Sequence, residues 1–216
     1  MDKTQKYYQQ RAKEYDKVYE KPERQSELKN LHLTLQKEVA NANILEIACG
    51  TGYWTETLAK TCKSIHACDY NEAVLEIAKA KTYAPAPVTF EQLDIWKLEK
   101  PTKPYDIVFG GFIWSHISLE KIPAFLKILR QQIKPGGSMI FLDNNYIEGS
   151  STPISRTDEL GNTYQIRTLA NGEQYEIIKN FPEHLETYSL LIQMDLSIEW
   201  MNAEYYWRII IKELVV

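Results

Sequence analysis

Residues 44–54, reading I-L-E-I-A-C-G-T-G-Y-W, constrain the fold of this chain more than any other stretch. Ile44, Leu45, Ile47 and Ala48 make a short apolar run of the kind a parallel strand buried on both faces requires. The run breaks at Gly50-Thr51-Gly52, where two glycines permit positive φ and let backbone approach a ligand that a Cβ would hold off. Trp54, Leu58 and Cys62 then recur at helical spacing. The chain thus runs strand, glycine turn, helix, which is the geometry of a nucleotide cradle.

The segments that follow alternate in the same sense. Residues 64–68 read as a second strand ended by Asp69-Tyr70-Asn71. A carboxylate about twenty positions past the glycines stands where a ribose diol is gripped. A helix cap is also open to Asp69, although Asn71 fits the N-cap of a helix over 72–81 better. Residues 88–92 and 105–109 read as third and fourth strands. A helix starting between Glu120 and Pro123 has Ile122, Phe125, Leu126, Leu129 and Ile133 as its buried face, and Lys134-Pro135-Gly136-Gly137 stops it before a fifth strand over 138–143. Ahead of the core, Tyr8, Ala12, Tyr15 and Tyr19 form one helical stripe and Leu28, Leu31, Leu35 and Val39 another, with Pro22 between them. In the tail, two β-rich runs flank Asn171-Gly172, the strongest short hairpin signal. A helix over 182–191 and strands over 193–200 and 205–214 follow.

Composition excludes several function classes. With 216 residues, 44% hydrophobic and 25% charged, the chain is expected to fold as one domain. That domain divides into a helical lid (1–42), a nucleotide-binding core (43–145) and a C-terminal part (146–216). A net charge of −4 argues against a nucleic-acid partner. No apolar run approaches the ~18 residues of a membrane helix, and residues 1–8 lack the apolar segment of a secretory signal. Three cysteines without C-x-x-C spacing and four scattered histidines give no metal site and no disulfide framework, and fit a reducing, cytoplasmic setting.

The strand ending in acid-x-x-Cys-Gly-x-Gly resembles motif I of the class I S-adenosylmethionine-dependent methyltransferases. The resemblance implies an α/β fold: a doubly wound, mostly parallel seven-stranded sheet with an N-terminal helical cap, completed by an antiparallel terminal hairpin. The hairpin near Asn171 is extra to it. It implies S-adenosylmethionine as cofactor, with Glu46 helping to hold its amino acid end, or else only accepting backbone N–H bonds in the turn. Asp69 would take the ribose, and Asp94 and Ile95 the adenine. Residues 8–16, Y-Q-Q-R-A-K-E-Y-D, match a lid pattern whose Tyr8, Arg11 and Tyr15 either meet the cofactor or pack the lid. Ala48, Gly50, Gly52, Trp54, Tyr70 and Gly110 complete the expected cofactor contacts. The segment Gly110-Gly111-Phe112-Ile113-Trp114-Ser115-His116 replaces the Asn/Asp-Pro-Pro-aromatic signature of enzymes that methylate nucleobase or glutamine amines. It leaves a pocket for a small acceptor lined by Phe112, Trp114, Asn144 and Tyr146. His116 is the candidate general base, or a packed histidine. The expectation is a small-molecule methyltransferase acting as a monomer or dimer. Two alternatives stand beside it: a cofactor-binding protein of this fold without transferase activity, and a nicotinamide-dependent oxidoreductase, disfavoured by Thr55 where a small third residue belongs.

Overall fold

In the computed structural model, which describes residues 3–214, the chain begins with α1 (Lys3–Arg11), α2 (Gln25–Glu38), β1 (Asn43–Ile47), α3 (Tyr53–Leu58) and β2 (Ser64–Asp69). It continues with α4 (Glu72–Lys79), β3 (Val88–Gln92), β4 (Tyr105–Gly111), α5 (Ile122–Arg130) and β5 (Ile133–Asn144). The tail adds β6 (Arg156–Thr157), β7 (Thr163–Thr168), β8 (Gln174–Ile178), α6 (His184–Gln193), β9 (Leu196–Asn202) and β10 (Tyr206–Glu213). From β1 to β3 and again from β4 to β5 a helix joins each pair of strands, and these crossovers build the parallel part of the sheet. Seven strands form one sheet in the order β3-β2-β1-β4-β5-β10-β9. The first five pair in parallel, and β10 runs antiparallel to β5 and β9. The expected doubly wound sheet with its antiparallel hairpin is therefore what forms.

Ile44, Leu45 and Ile47 of β1 are buried because the strand is covered on both sides. Ile44 belongs to a core shared with Leu28 and Leu35 of α2 and Leu58 of α3. Leu45 and Ile47 belong to the opposite core, with Phe125, Leu126 and Leu129 of α5 and Leu191 of α6. This two-residue alternation is the pleat of a strand between two helical layers. Strand order reverses between β1 and β4, so a crevice opens beyond their C-terminal ends. Among the described residues no helix is long and apolar enough to cross a membrane.

Four details differ from the pattern read in the sequence. The first lid helix ends at Arg11, and Ala12–Tyr19 continues as a tighter 3-10 stretch that turns the lid across the crevice. Helix α3 stops at Leu58, so Cys62 is buried beyond it rather than on it. Lys134-Pro135-Gly136-Gly137 lies inside β5, where the pairing with β4 shifts register between Tyr105 and Ile107, a bulge rather than a separate turn. The extra hairpin β7–β8 gains a short third strand, β6, and its sheet stands apart from the main one.

Candidate active site

Three left-handed backbone positions cluster where β1 and β4 end. Ala48 has φ 49°, Gly50 φ 57° and Phe112 φ 61°. For the two non-glycine residues this conformation costs about 1–2 kcal/mol each, a cost characteristic of functional turns. All three line a cavity of about 220 Å³ in the crevice. A Cβ built on Gly50 would find no protein atom nearer than Tyr15 Cε1 at 3.9 Å, so that glycine bares its backbone to the cavity.

The floor of this cavity carries the carboxylates anticipated from the sequence. Asp69 accepts hydrogen bonds from the backbone N–H of Gly50 (2.9 Å) and of Asn71 (2.8 Å). It thus ties the glycine turn to the end of β2, while burial pushes its carboxyl up against those bonds. Asp94 accepts from the Trp96 N–H at 3.0 Å and lines the same cavity with Leu93, Ile95 and Tyr70. Asn71 occupies the N-cap position of α4 but makes no side-chain cap. Instead its side chain donates to the Gln5 carbonyl of α1 at 3.3 Å, a bond that reaches the lid.

The roof is the lid. Tyr8, Tyr15, Thr4 and Gln5 close the cavity from above. The lid is fastened to the glycine turn by the Thr51 hydroxyl, which donates to Asp16 at 2.5 Å, and by Lys81, 3.2 Å from the same carboxylate. Tyr8 Oη lies 2.8 Å from His116 Nε2, and His116 Nδ1 lies 2.7 Å from the Ile178 carbonyl oxygen. A carbonyl only accepts, so Nδ1 carries the proton and Nε2 accepts from the tyrosine hydroxyl. Burial, with the Lys179 charge beside it, pushes His116 down to about 3, so the ring is neutral. Burial raises Tyr15 to about 12 and Tyr8 further.

Of the residues anticipated from the sequence, the first cavity gathers Tyr8, Tyr15, Ala48, Gly50, Asp69, Tyr70, Asp94, Ile95, Phe112 and His116. The others stand elsewhere. Glu46 is buried beside Thr55 with Oε2 unpartnered among the described residues, and burial raises its carboxyl to about 8. Gly52, with φ 81°, faces protein: an added Cβ would meet the Tyr83 hydroxyl at 2.2 Å. Trp54 packs against Phe112 in the core rather than into the cavity. Gly110 points at Ile113 and Phe141, and its neighbour Gly111 takes the cavity position, since adjacent residues of a strand face opposite ways. Trp114 is buried against Phe141 and Trp207.

Arg11 and Asn144 line a second cavity, also of about 220 Å³, which shares no lining residue with the first. Tyr146 is partly exposed and packs on Phe181 at the edge of that cavity. Beneath it, Lys179 is buried against Asp143 at 2.7 Å, and the Ser115 hydroxyl donates to the same carboxylate at 2.6 Å. Sequence reading missed Ile178, Arg167 and Lys179, all brought in by the extra hairpin, because nothing local signals where a hairpin docks.

Residues 44–137 match a family model described as a methyltransferase domain. The chain is 29% identical over 113 residues to the demethylmenaquinone methyltransferase of Bacillus licheniformis, covering 50% of this chain and 47% of that protein. It is 31% identical over 107 residues to the protein of the same name from Staphylococcus aureus, covering 47% and 42%. The chain therefore spans about half the length of the curated relatives it matches. Among solved structures, the complex of DhpI with SAH superposes with a TM-score of 0.81 at 24% identity, over 98% of this chain and 95% of that one. An S-adenosylmethionine-dependent methyltransferase from Clostridium acetobutylicum gives 0.60 at 18%, over 85% and 88%. At these identities the structural likeness shows the fold. Fold, matched segment and the order of glycines and carboxylates agree: residues 44–137 carry a methyltransferase domain, set in a chain with the fold of solved S-adenosylmethionine-dependent methyltransferases.

Proposed function

We propose that this protein is an enzyme that moves the methyl group of S-adenosylmethionine to a small-molecule acceptor by direct displacement. The observation that carries the reading is the first cavity, with bare backbone at Gly50, two carboxylates along its floor and a tyrosine roof. These residues fit the cofactor, which when bound supplies a methyl group on a positively charged sulfur. In this reading Asp69 grips the ribose diol, and Asp94 accepts from the adenine amino group with Leu93 and Ile95 beside the ring. The backbone at Ala48 and Gly50 receives the amino acid end. Glu46, buried beside Thr55, does not line this cavity.

Tyr8, Phe112 and His116 then face the acceptor, and their work is orientation. Alignment of reacting atoms contributes up to ~7–11 kcal/mol, against ~10²–10⁴-fold for a general base, and a sulfonium needs no activation beyond alignment. The names of the curated relatives support a small-molecule acceptor. The walls of the second cavity lie outside matched residues 44–137, so the acceptor has to be read from this chain itself. The net charge of −4 supports a protein that works without nucleic acid, and three unpaired cysteines support a cytoplasmic location.

Calorimetry with S-adenosylhomocysteine, together with a mass-spectrometric search for methylated products in metabolite pools, tests this. Wild type is expected to bind and to turn over, and Asp69→Ala to bind at least ~10-fold more weakly. Unchanged affinity in Asp69→Ala would remove that residue from the site. Binding without turnover over all pools would favour a non-transferring cofactor-binding protein, and binding of NAD in place of S-adenosylhomocysteine would favour an oxidoreductase.

A further inference from the structure

The second cavity is lined by Arg11, Lys17, Lys21, Arg24, Arg167 and Lys179, and no carboxylate lines it. In a chain of net charge −4 this is a marked local excess of positive charge. Two of the six have acidic partners: Lys179 pairs with Asp143, and Lys17 lies 3.8 Å from Glu14. The other four, Arg11, Lys21, Arg24 and Arg167, have no ion pair among the described residues. Glu23 stands at the rim, 3.0 Å from the Ser150 hydroxyl.

The guanidinium groups are held in place by neutral partners. Arg24 is only 4% exposed; it donates to Asn144 Oδ1 (3.1 Å) and Ser150 Oγ (2.8 Å) and stacks on Tyr205 and Tyr206. Arg167 donates to Thr152 Oγ1 (2.7 Å) and Gln165 Oε1 (2.6 Å). The Nε atoms of both arginines have no partner among the described residues. Burial pushes Lys21 and Lys179 down, with Arg24 and Arg167 adding to it against Glu23 beside the first and Asp143 beside the second. Such a cluster opposes folding on its own and is relieved by a bound anion.

The position relative to the first cavity decides what that anion is for. Arg11 sits 5.9 Å from the ring of Tyr15, which lines the first cavity, and Lys179 follows Ile178, whose carbonyl holds His116. Tyr15 and His116, which line the first cavity, thus stand next to Arg11 and Lys179, which line the second. Resting on the methyltransferase reading above, we infer that the second cavity holds the methyl acceptor by a doubly charged, phosphate-like oxyanion. Four cations without acidic partners match a dianion better than a single carboxylate, and the planar forks of Arg24 and Arg167 suit its oxygens.

The test uses the full-length protein, with S-adenosylhomocysteine present, and titrates inorganic phosphate and acetate by calorimetry. Phosphate is expected to bind at least ~10-fold more tightly than acetate, and Arg167→Gln to weaken phosphate at least ~10-fold without changing the affinity for S-adenosylhomocysteine. Lys21→Gln gives the same readout if the Arg167 variant melts early. Exposed Lys127→Gln controls for general charge and is expected to change nothing. S-adenosylhomocysteine binding without phosphate binding overturns the inference and leaves the methyltransferase reading standing, whereas loss of both in wild type defeats that reading first. Acetate binding as tightly as phosphate, or Lys127→Gln weakening phosphate as much as Arg167→Gln, also overturns it.

Discussion

Gly50 and Gly52 look alike in the sequence, yet they meet different surroundings. Both have positive φ, but Gly50 faces the first cavity while the space beside Gly52 is filled by Tyr83 and Ala78. The sequence therefore announces the turn and not which glycine serves the ligand, because Tyr83 arrives from beyond α4. With a Cβ at Gly52 falling 2.2 Å from the Tyr83 hydroxyl, Gly52→Val is expected to damage the fold and not only the binding of a ligand. Gly52→Ala should lower stability by about 1–3 kcal/mol, read as a shift in melting temperature, and Gly50→Ala should act mainly on the affinity for S-adenosylhomocysteine. Equal melting losses with equal affinity losses would erase this distinction. His116 carries a similar lesson. Its place after β4 was legible, but its protonation was not, since that depends on Ile178 and Lys179 from the hairpin. With its basicity depressed to about 3, His116 is neutral from neutral pH down to well below the usual imidazole range. No loss of kcat should follow its protonation as pH falls through ~6.5. Wild type and His116→Asn should therefore show pH profiles of the same shape, with the substitution acting on KM for the acceptor. A break near 6.5 present in wild type and missing in the variant would restore the base.

The elements were legible wherever their own periodicity carried them. Strands β1 to β5 and helix α5 are amphipathic or uniformly apolar in ways that a single segment displays, and the structure follows them except at one join, where α5 ends at Arg130 and Ile133 opens β5 instead of closing the helix face. What escaped was docking. The Asn171-Gly172 signal identifies β7–β8 as a hairpin but not that it lies against α1 and delivers Lys179 to Asp143. That ion pair is the fastening of the hairpin to the end of β5: Asp143 is fully buried, and Lys179 with the Ser115 hydroxyl holds its carboxyl below the usual carboxylate range in spite of burial. Lys179→Met leaves the carboxylate buried without its counter-charge and should cost about 3–5 kcal/mol. Thermal unfolding measures it, and the double substitution with Asp143→Leu should recover part of the loss. A single variant as stable as wild type would mean that the pair fastens nothing.

Over the whole molecule, order along the chain revealed the part that the methyltransferase domain model matches, and geometry revealed the rest. Strand order and the carboxylates after β2 and β3 could be placed because each sits at a strand end, where an α/β sheet puts its ligands. The second cavity is assembled from the lid, the end of β5 and the hairpin, three regions far apart in sequence, and no local pattern joins them. One feature of the lid carries further. Thr4, Gln5, Tyr8 and Tyr15 cover the first cavity, and Arg11, Lys17, Lys21 and Arg24 cover the second. A single stretch of chain is thus the door to both rooms, and whatever settles it over one has already met the ordering cost for the other. Occupancy of the two cavities is then cooperative by linkage, and the factor is the same in both directions. Saturating phosphate should tighten S-adenosylhomocysteine by the factor that saturating S-adenosylhomocysteine tightens phosphate, with amide exchange slowed over residues 4–24 in either case. Strictly independent affinities would show that the door moves in two pieces. If one door serves both cavities, both products should leave in a single opening, and kcat should then fall with rising solvent viscosity as that opening slows.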